Sequence, residues 1–218
     1  MAVVEVGLGG RLVGQAEPAA EAEHDAHGEI HWGYSGETGP EYWADLSPEF
    51  APCREGVEQS PIDLTAAMPA SETGIERRIG ETTLTLEQRA RVMDLVDNGH
   101  TIQVNYKSGS TITINGHKFE LKQFHFHSPS ENTIEGHSYP MEAHFVHADK
   151  EGYLAVIAVM FKTGKKNVEL EKAWEHMPEN TGDKNTLPKS LDASSLLPHN
   201  HDYYRFNGSL TTPPCSEG

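Results

Sequence analysis

Basic residues are scarce in this chain: 17 Lys and Arg stand against 33 Asp and Glu, a formal net charge of −16 at pH 7. So acidic a surface repels phosphate backbones and anionic lipid, which argues against nucleic acid or a charged membrane surface as partner. Long hydrophobic runs are missing as well. The longest, Tyr153 to Phe161, is about half of what a membrane-crossing helix needs and fits a strand buried on both faces. Cysteine is almost absent, with Cys53 and Cys215 alone. Two are too few for a disulfide-built scaffold, and they lie too far apart for a local Cys-X-X-Cys metal or redox motif. A bond between them suits an oxidising compartment and is worth about 5 kcal/mol by chain entropy, while two free thiols in a reducing cytosol fit the composition too.

A basic start followed by an unbroken apolar centre is also lacking, since Glu5 and repeated glycines interrupt the first ten residues. Residues 1–28 read as a mobile tail or the remnant of a leader, and His24, His27 and His31 as solvated or loosely metal-binding side chains without a catalytic part. The remaining stretch, 29–218, is long enough for one domain with its own core.

What is present is mostly strand. An aromatic group (Trp32, Tyr34, Tyr42, Trp43, Phe50) with little periodicity reads as an irregular lid. Short alternating, β-branched runs follow at Thr82 to Leu86, Val92 to Val96, Thr101 to Tyr106 and Thr111 to Ile114. Asn115-Gly116 signals a two-residue hairpin that returns the chain into Lys118 to His127. One helix is expected, capped by Asn167, apolar at Leu170, Ala173, Trp174 and Met177, and stopped by Pro178. Residues 179–202 read as loop, with His199 and His201 at the surface.

The chemistry concentrates in Gln123-Phe-His-Phe-His127 and Glu142-Ala-His-Phe-Val-His147. Strand periodicity puts Gln123, His125 and His127 on one face of the first run, and Glu142, His144 and Val146 on one face of the second. Three imidazoles then converge, and three neutral nitrogens leave the fourth tetrahedral position of a Zn²⁺ open, the arrangement of a catalytic metal. A buried His-X-His pair can also be structural, satisfied by backbone groups. Here each strand adds a same-face partner two residues before a histidine, Gln123 for His125 and Glu142 for His144, as metal-bound imidazoles require. His147, on the opposite face, reads as a satisfied core residue.

These runs resemble one family, the α-class carbonic anhydrases of the bacterial kind. The resemblance also rests on His31-Trp-Gly-Tyr34, Gln59-Ser-Pro-Ile-Asp-Leu64, Asp97-Asn-Gly-His100, Glu131-Asn-Thr and Ser209-Leu-Thr-Thr-Pro-Pro214, all in the family's order. It implies an α+β fold, a single domain on a large, mostly antiparallel twisted β-sheet with a few peripheral helices. It also implies reversible hydration of carbon dioxide to bicarbonate and a proton by a zinc-bound hydroxide, with Zn²⁺ on His125, His127 and His144. By the same resemblance, Thr211 accepts the hydroxide's hydrogen while donating to Glu131, and Val146, Val156 and Leu210 form a dry wall for CO₂. Thr212 lines the bicarbonate side, His100 shuttles the proton, and Tyr34 and Asn98 order its waters. Cys53 and Cys215 match a disulfide of the bacterial branch, favouring a periplasmic or secreted protein over a cytoplasmic one. Inhibition by sulfonamides and small anions, and a homodimer, complete what the resemblance implies.

One departure is expected to matter. Family members continue past Gly218 into strands that complete the sheet and supply a carbonyl for the ligand His127, so the domain reads as C-terminally incomplete. A zinc-binding member without turnover is therefore a rival reading. A metalloprotease is not, because His144-Phe-Val-His147 lacks the His-Glu-X-X-His spacing.

Overall fold

The alternating runs are strands in the computed structural model, which describes residues 2–5, 30–65, 76–78, 84–87, 94–188, 191–199 and 203–217. In chain order they are β1 (Ala2–Glu5), β2 (Asp63–Leu64), β3 (Glu76–Arg78), β4 (Leu84–Glu87), β5 (Asp94–Asp97), β6 (Ile102–Asn105) and β7 (Thr111–Ile114). Then come β8 (His117–His127), β9 (Thr133–Ile134), β10 (His137–Ser138), β11 (Met141–Ala148), β12 (Leu154–Phe161), β13 (Lys184–Thr186) and β14 (Tyr203–Phe206). Eleven of them make one sheet, in the order β13-β5-β6-β8-β11-β12-β1-β14-β3, with β7 against β8 and β4 against β7. Every described pairing in it is antiparallel except β1 with β14. A second sheet joins β10, β9 and β2. The fold is thus the expected α+β arrangement.

The longest strand, β8, organises the sheet. Asn115 and Gly116 both have positive φ (50° and 84°), the geometry of a two-residue hairpin turn, and Ile114 pairs with His117 across it. One edge of β8 bonds first to β7 and then to β6, and the other edge bonds to β11 throughout. Along β8 the core-facing side changes parity: Phe119 and Leu121 lie in the main core, and so do Phe124 and, partly buried, Phe126. The cause is a bulge. Val146 pairs with Gln123, but the next residue, His147, pairs with Leu121, which leaves Lys122 as the extra residue. Without it, the odd-numbered histidines of β8 would continue the core-facing series of Phe119 and Leu121.

That core packs Phe124, Phe145, Ile157 and Val159 of the sheet against Leu170 and Ala173 of the one longer helix, Val168–Trp174. Asn167 caps it, its side-chain oxygen accepting from the Glu169 and Leu170 amides. The expected apolar stripe is only half buried, since Trp174 and Met177 remain about 40 % exposed. Trp174 sits at the core's border, with its ring edge-on to Phe126 at 4.8 Å.

Three further differences from the sequence expectations have physical reasons. Residues 184–186, taken as loop, pair with β5 although all three are exposed, so no alternation marks them. The strands β9 and β10 have two residues each, too few to display a period, whereas β2 is the short strand expected after Ser60-Pro61. Ala2–Glu5, expected in a mobile tail, is hydrogen-bonded into the sheet between β12 and β14. His24, His27 and His201 lie outside the described residues, whereas His31 and His199 are exposed as expected.

Candidate metal centre

Two adjacent strands build the centre. In the β8–β11 ladder His125 faces His144, His127 faces Glu142 and Gln123 faces Val146, so alternation delivers all six side chains to the face opposite the core. His125, His127 and His144 each offer one ring nitrogen within 4.8 Å of the others.

The second ring nitrogen of each imidazole is spoken for, which determines the nitrogen left to face the metal. His125 Nδ1 lies 2.8 Å from Gln123 Oε1, and His144 Nε2 lies 3.1 Å from Glu142 Oε1. His127 Nδ1 lies 3.2 Å from Glu131 Oε1. The first is a hydrogen bond, and the other two are close N···O approaches that favour a proton on the same ring nitrogens, leaving Nε2 of His125, Nε2 of His127 and Nδ1 of His144 as lone-pair donors. His127 Nε2 is buried with no hydrogen-bond partner. Glu131 was expected as the acceptor for Thr211, and its approach to His127 was not read from the sequence.

Electrostatics favour the neutral, ligating form. Burial, reinforced by the two neighbouring imidazoles, holds His125 well below the usual histidine range, and burial and His144 bring His127 to about 3. Glu142 has no exposed surface. Burial would raise its carboxyl, but His144 and two Asn132 donors, the amide (3.0 Å) and the side-chain nitrogen (2.8 Å), outweigh it and hold the group below its ordinary value. The Glu131 amide donates to it as well (2.8 Å). Asn132 also accepts from the Ile62 amide. The sequence reading missed this residue, although its place right after Glu131 could have flagged it. Three neutral imidazoles from a rigid sheet fit Zn²⁺, which binds such donors tetrahedrally and keeps a fourth position for water or substrate.

The other expected residues gather around this trio. Burial raises the Glu131 carboxyl, opposed by His144 and by the Thr211 hydroxyl beside it. Tyr34 is raised to about 12 by burial and by the charge of Glu131. Val156 and Leu210 pack against Val146 in a small apolar cluster with Ala148 and Leu154. Leu210, Thr211 and Thr212 belong to a tight loop after β14, in which the Leu210 amide donates to Ser216 and the Cys215 amide to Thr212. Cys53 and Cys215 form a disulfide across 162 residues. Reciprocal bonds tie Ser60 to Ser209, and the Gln59 side chain donates to the Cys215 carbonyl and to Glu217.

His100 stands at the edge of a cavity of about 460 Å³ lined also by Ile30, His31, Trp32, Asn98, Gly99 and Thr181. Its ring stacks on Trp32, with centroids 3.7 Å apart and planes within 6°. Burial and nearby His31 lower its pKa. The Asn98 side-chain oxygen accepts from the His100 and Thr101 amides and so holds the turn, leaving its NH₂ for water. His147 is buried and outside the trio; its Nδ1 sits between the Phe145 and Ala155 carbonyls (2.8 and 3.2 Å), but its Nε2 has no partner, so it is only half satisfied.

A sequence model of the eukaryotic-type carbonic anhydrases matches residues 38–218. The carbonic anhydrase of Neisseria gonorrhoeae is 47% identical over 195 residues, covering 88% of this chain and 73% of that protein. That of Pectobacterium atrosepticum is 41% identical over 189 residues, covering 87% and 74%. The structure of the α-carbonic anhydrase from Thermovibrio ammonificans, solved with the inhibitor sulfanilamide, superposes with a TM-score of 0.80 at 49% identity, covering 88% of this chain and 81% of that one.

Proposed function

Because this chain belongs to the α-carbonic anhydrase family, whose members are zinc lyases, we propose that it hydrates carbon dioxide reversibly to bicarbonate and a proton at a Zn²⁺ held by His125, His127 and His144. The observation that carries this reading is the convergence of three uncharged imidazoles whose outward nitrogens already have acceptors in Gln123, Glu131 and Glu142. Zn²⁺ held by these three imidazoles would bring the pKa of a bound water down to about 7, a value carried over from carbonic anhydrases as a class, and would so supply hydroxide at neutral pH.

The chain's own residues do the rest. Thr211 donates its hydroxyl proton toward Glu131, so its oxygen can only accept from the nucleophile. A nucleophile whose hydrogen points at Thr211 turns its lone pair toward Val146, Val156 and Leu210, the apolar wall that suits CO₂. Thr212, on the same loop, lines the side where bicarbonate leaves. His100, with its ring lining the cavity and its pKa lowered, takes up the released proton through water and passes it outward, with Tyr34 and the Asn98 NH₂ ordering that water. Inhibition by sulfonamides is expected on this reading, sulfanilamide being an inhibitor of the Thermovibrio ammonificans relative. The disulfide supports an oxidising compartment, periplasmic or outside the cell.

Stopped-flow CO₂ hydration, run beside elemental zinc analysis, tests the proposal. One zinc per chain with fast turnover is the expected result. Zinc at that level without turnover refutes the enzymatic reading and leaves a metal-binding protein.

A further inference from the structure

Asn132 touches none of the three histidines, yet it is a polar residue with no exposed surface, set immediately before β9. Its backbone amide donates to Glu142 Oε2 (3.0 Å) and its side-chain nitrogen to Glu142 Oε1 (2.8 Å). Its side-chain oxygen accepts from the Ile62 amide (2.8 Å), and its carbonyl accepts from the Ser130 hydroxyl (2.7 Å). Ile62 fixes which way this side chain points. A backbone N–H can only donate, so the Asn132 oxygen must face Ile62 and its NH₂ must face Glu142.

The Glu142 carboxylate is thereby held at both oxygens. Oε2 takes the amides of Glu131 and Asn132, while Oε1 lies between the Asn132 NH₂ and His144, whose Nε2 is 3.1 Å away. Having no exposed surface, this carboxylate depends on those donors to keep its place and its charge. An ionised carboxylate can only accept, so a His144 ring that meets it must carry its proton on Nε2. The lone pair is then on Nδ1, on the side of His125 and His127.

We propose that Asn132 is a positioning residue of the metal centre: anchored on Ile62, it aims the Glu142 carboxylate at His144 and so determines which ring nitrogen His144 offers to a divalent metal. The role is specific to an amide side chain. A residue lacking the NH₂ frees Glu142 Oε1 to turn, and one lacking the oxygen leaves the Ile62 N–H without its acceptor. The inference deepens the zinc reading of this centre and rests on it, but the position of the His144 proton can be observed without metal or turnover.

Nitrogen NMR of the imidazole rings in the metal-free full chain should find the His144 proton on Nε2; a proton on Nδ1 overturns the inference. In Asn132→Leu, which is close in size but has neither donor nor acceptor, the Nδ1–H form should appear as well. Zinc affinity, read by competition with a chromophoric chelator, should fall about 10–100-fold in that variant. Thr133→Val is the control, since it removes a second tie between the same two segments, the Thr133 hydroxyl to Asp63 (2.6 Å), without touching Glu142. Its zinc affinity should stay within about twofold of the unaltered chain. Equal losses in the two variants overturn the inference, because the segment as a whole would then support the centre. So does a folded Asn132→Leu chain with unchanged affinity and an unchanged His144 proton, whatever its melting temperature. If the leucine variant does not fold, Asn132→Ala, which introduces no added bulk, is read in the same way. Zinc uptake that depends on Asn132 in a chain without CO₂ hydration upholds the inference and refutes the enzymatic reading. No zinc uptake by the unaltered chain refutes the metal reading, and the proton position in the two chains still decides the part played by Asn132.

Discussion

The β8–β11 ladder and the Ser209–Glu217 loop both serve the metal centre, yet they are held by opposite means. In the ladder, main-chain bonds set the register and each imidazole finds its acceptor within four residues: Gln123 for His125, Glu131 for His127, Glu142 for His144. The loop has a few bonds of its own but is tied to the rest of the fold by remote partners. Ser209 bonds to Ser60, Cys215 to Cys53 and Glu217 to Gln59, at separations of 149, 162 and 158 residues. The difference teaches that convergence of the three histidines is a local property of two strands and the turn after β8, whereas placement of the Thr211 loop depends on the whole fold being closed.

The sharpest break of that comparison is His144→Ala. Losing one of three ligands should take the metal from one per chain to near zero and activity with it, and elemental analysis showing full occupancy would sink the ligand assignment. Opening the loop comes next. Cys53→Ser removes a cross-link worth up to about 5 kcal/mol by loop entropy, and urea denaturation should show a loss of about 2–5 kcal/mol; zinc content of the still-folded protein should not change. If metal leaves together with the disulfide, the two regions are not separable.

A third effect belongs to the ladder side. The His147 pKa is about 4 when folded, because burial disfavours its charge, against about 6.5 when unfolded. The unfolded chain therefore binds more protons between these values. The stability from this group is complete above about pH 6.5 and is lost as pH falls toward 4, a change of about 3 kcal/mol. Urea midpoints between pH 4 and 7 should show that slope, and His147→Gln should flatten it. An equally steep slope in the variant would assign the acid sensitivity elsewhere. The smallest effect tests the loop's chemistry: Thr211→Val should cut kcat about 100-fold, near 2.7 kcal/mol, with the metal retained. A drop shared equally by kcat and zinc content would erase the division of labour.

Much of the centre was legible because a strand's side-chain period is two. His125, His127, His144, Gln123 and Glu142 could be assigned to one face from spacing alone. The bulge at Lys122 was written there as well, in the change from Phe119 and Leu121 to Phe124 and Phe126, but it reads as a bulge only once the ladder shows His147 opposite Leu121. The Trp32–His100 stack and the hold of Asn132 on Glu142 left no periodic trace, since each joins residues from different segments. Trp174 has helical spacing but lies at the core's border, where exposure depends on what packs alongside.

The sequence by itself determined which side chains share a face and which acceptor serves His125 and His144, because chain covalency sets those distances to within a strand's pitch. Tertiary structure alone decided that Glu131 approaches His127 and that Ser60 and Cys53 pin the Thr211 loop. Those contacts, apart from the short turn that brings Glu131 back to His127, join segments whose separation along the chain says nothing of their distance in space. They form only when the sheet has closed and buried backbone groups must find partners.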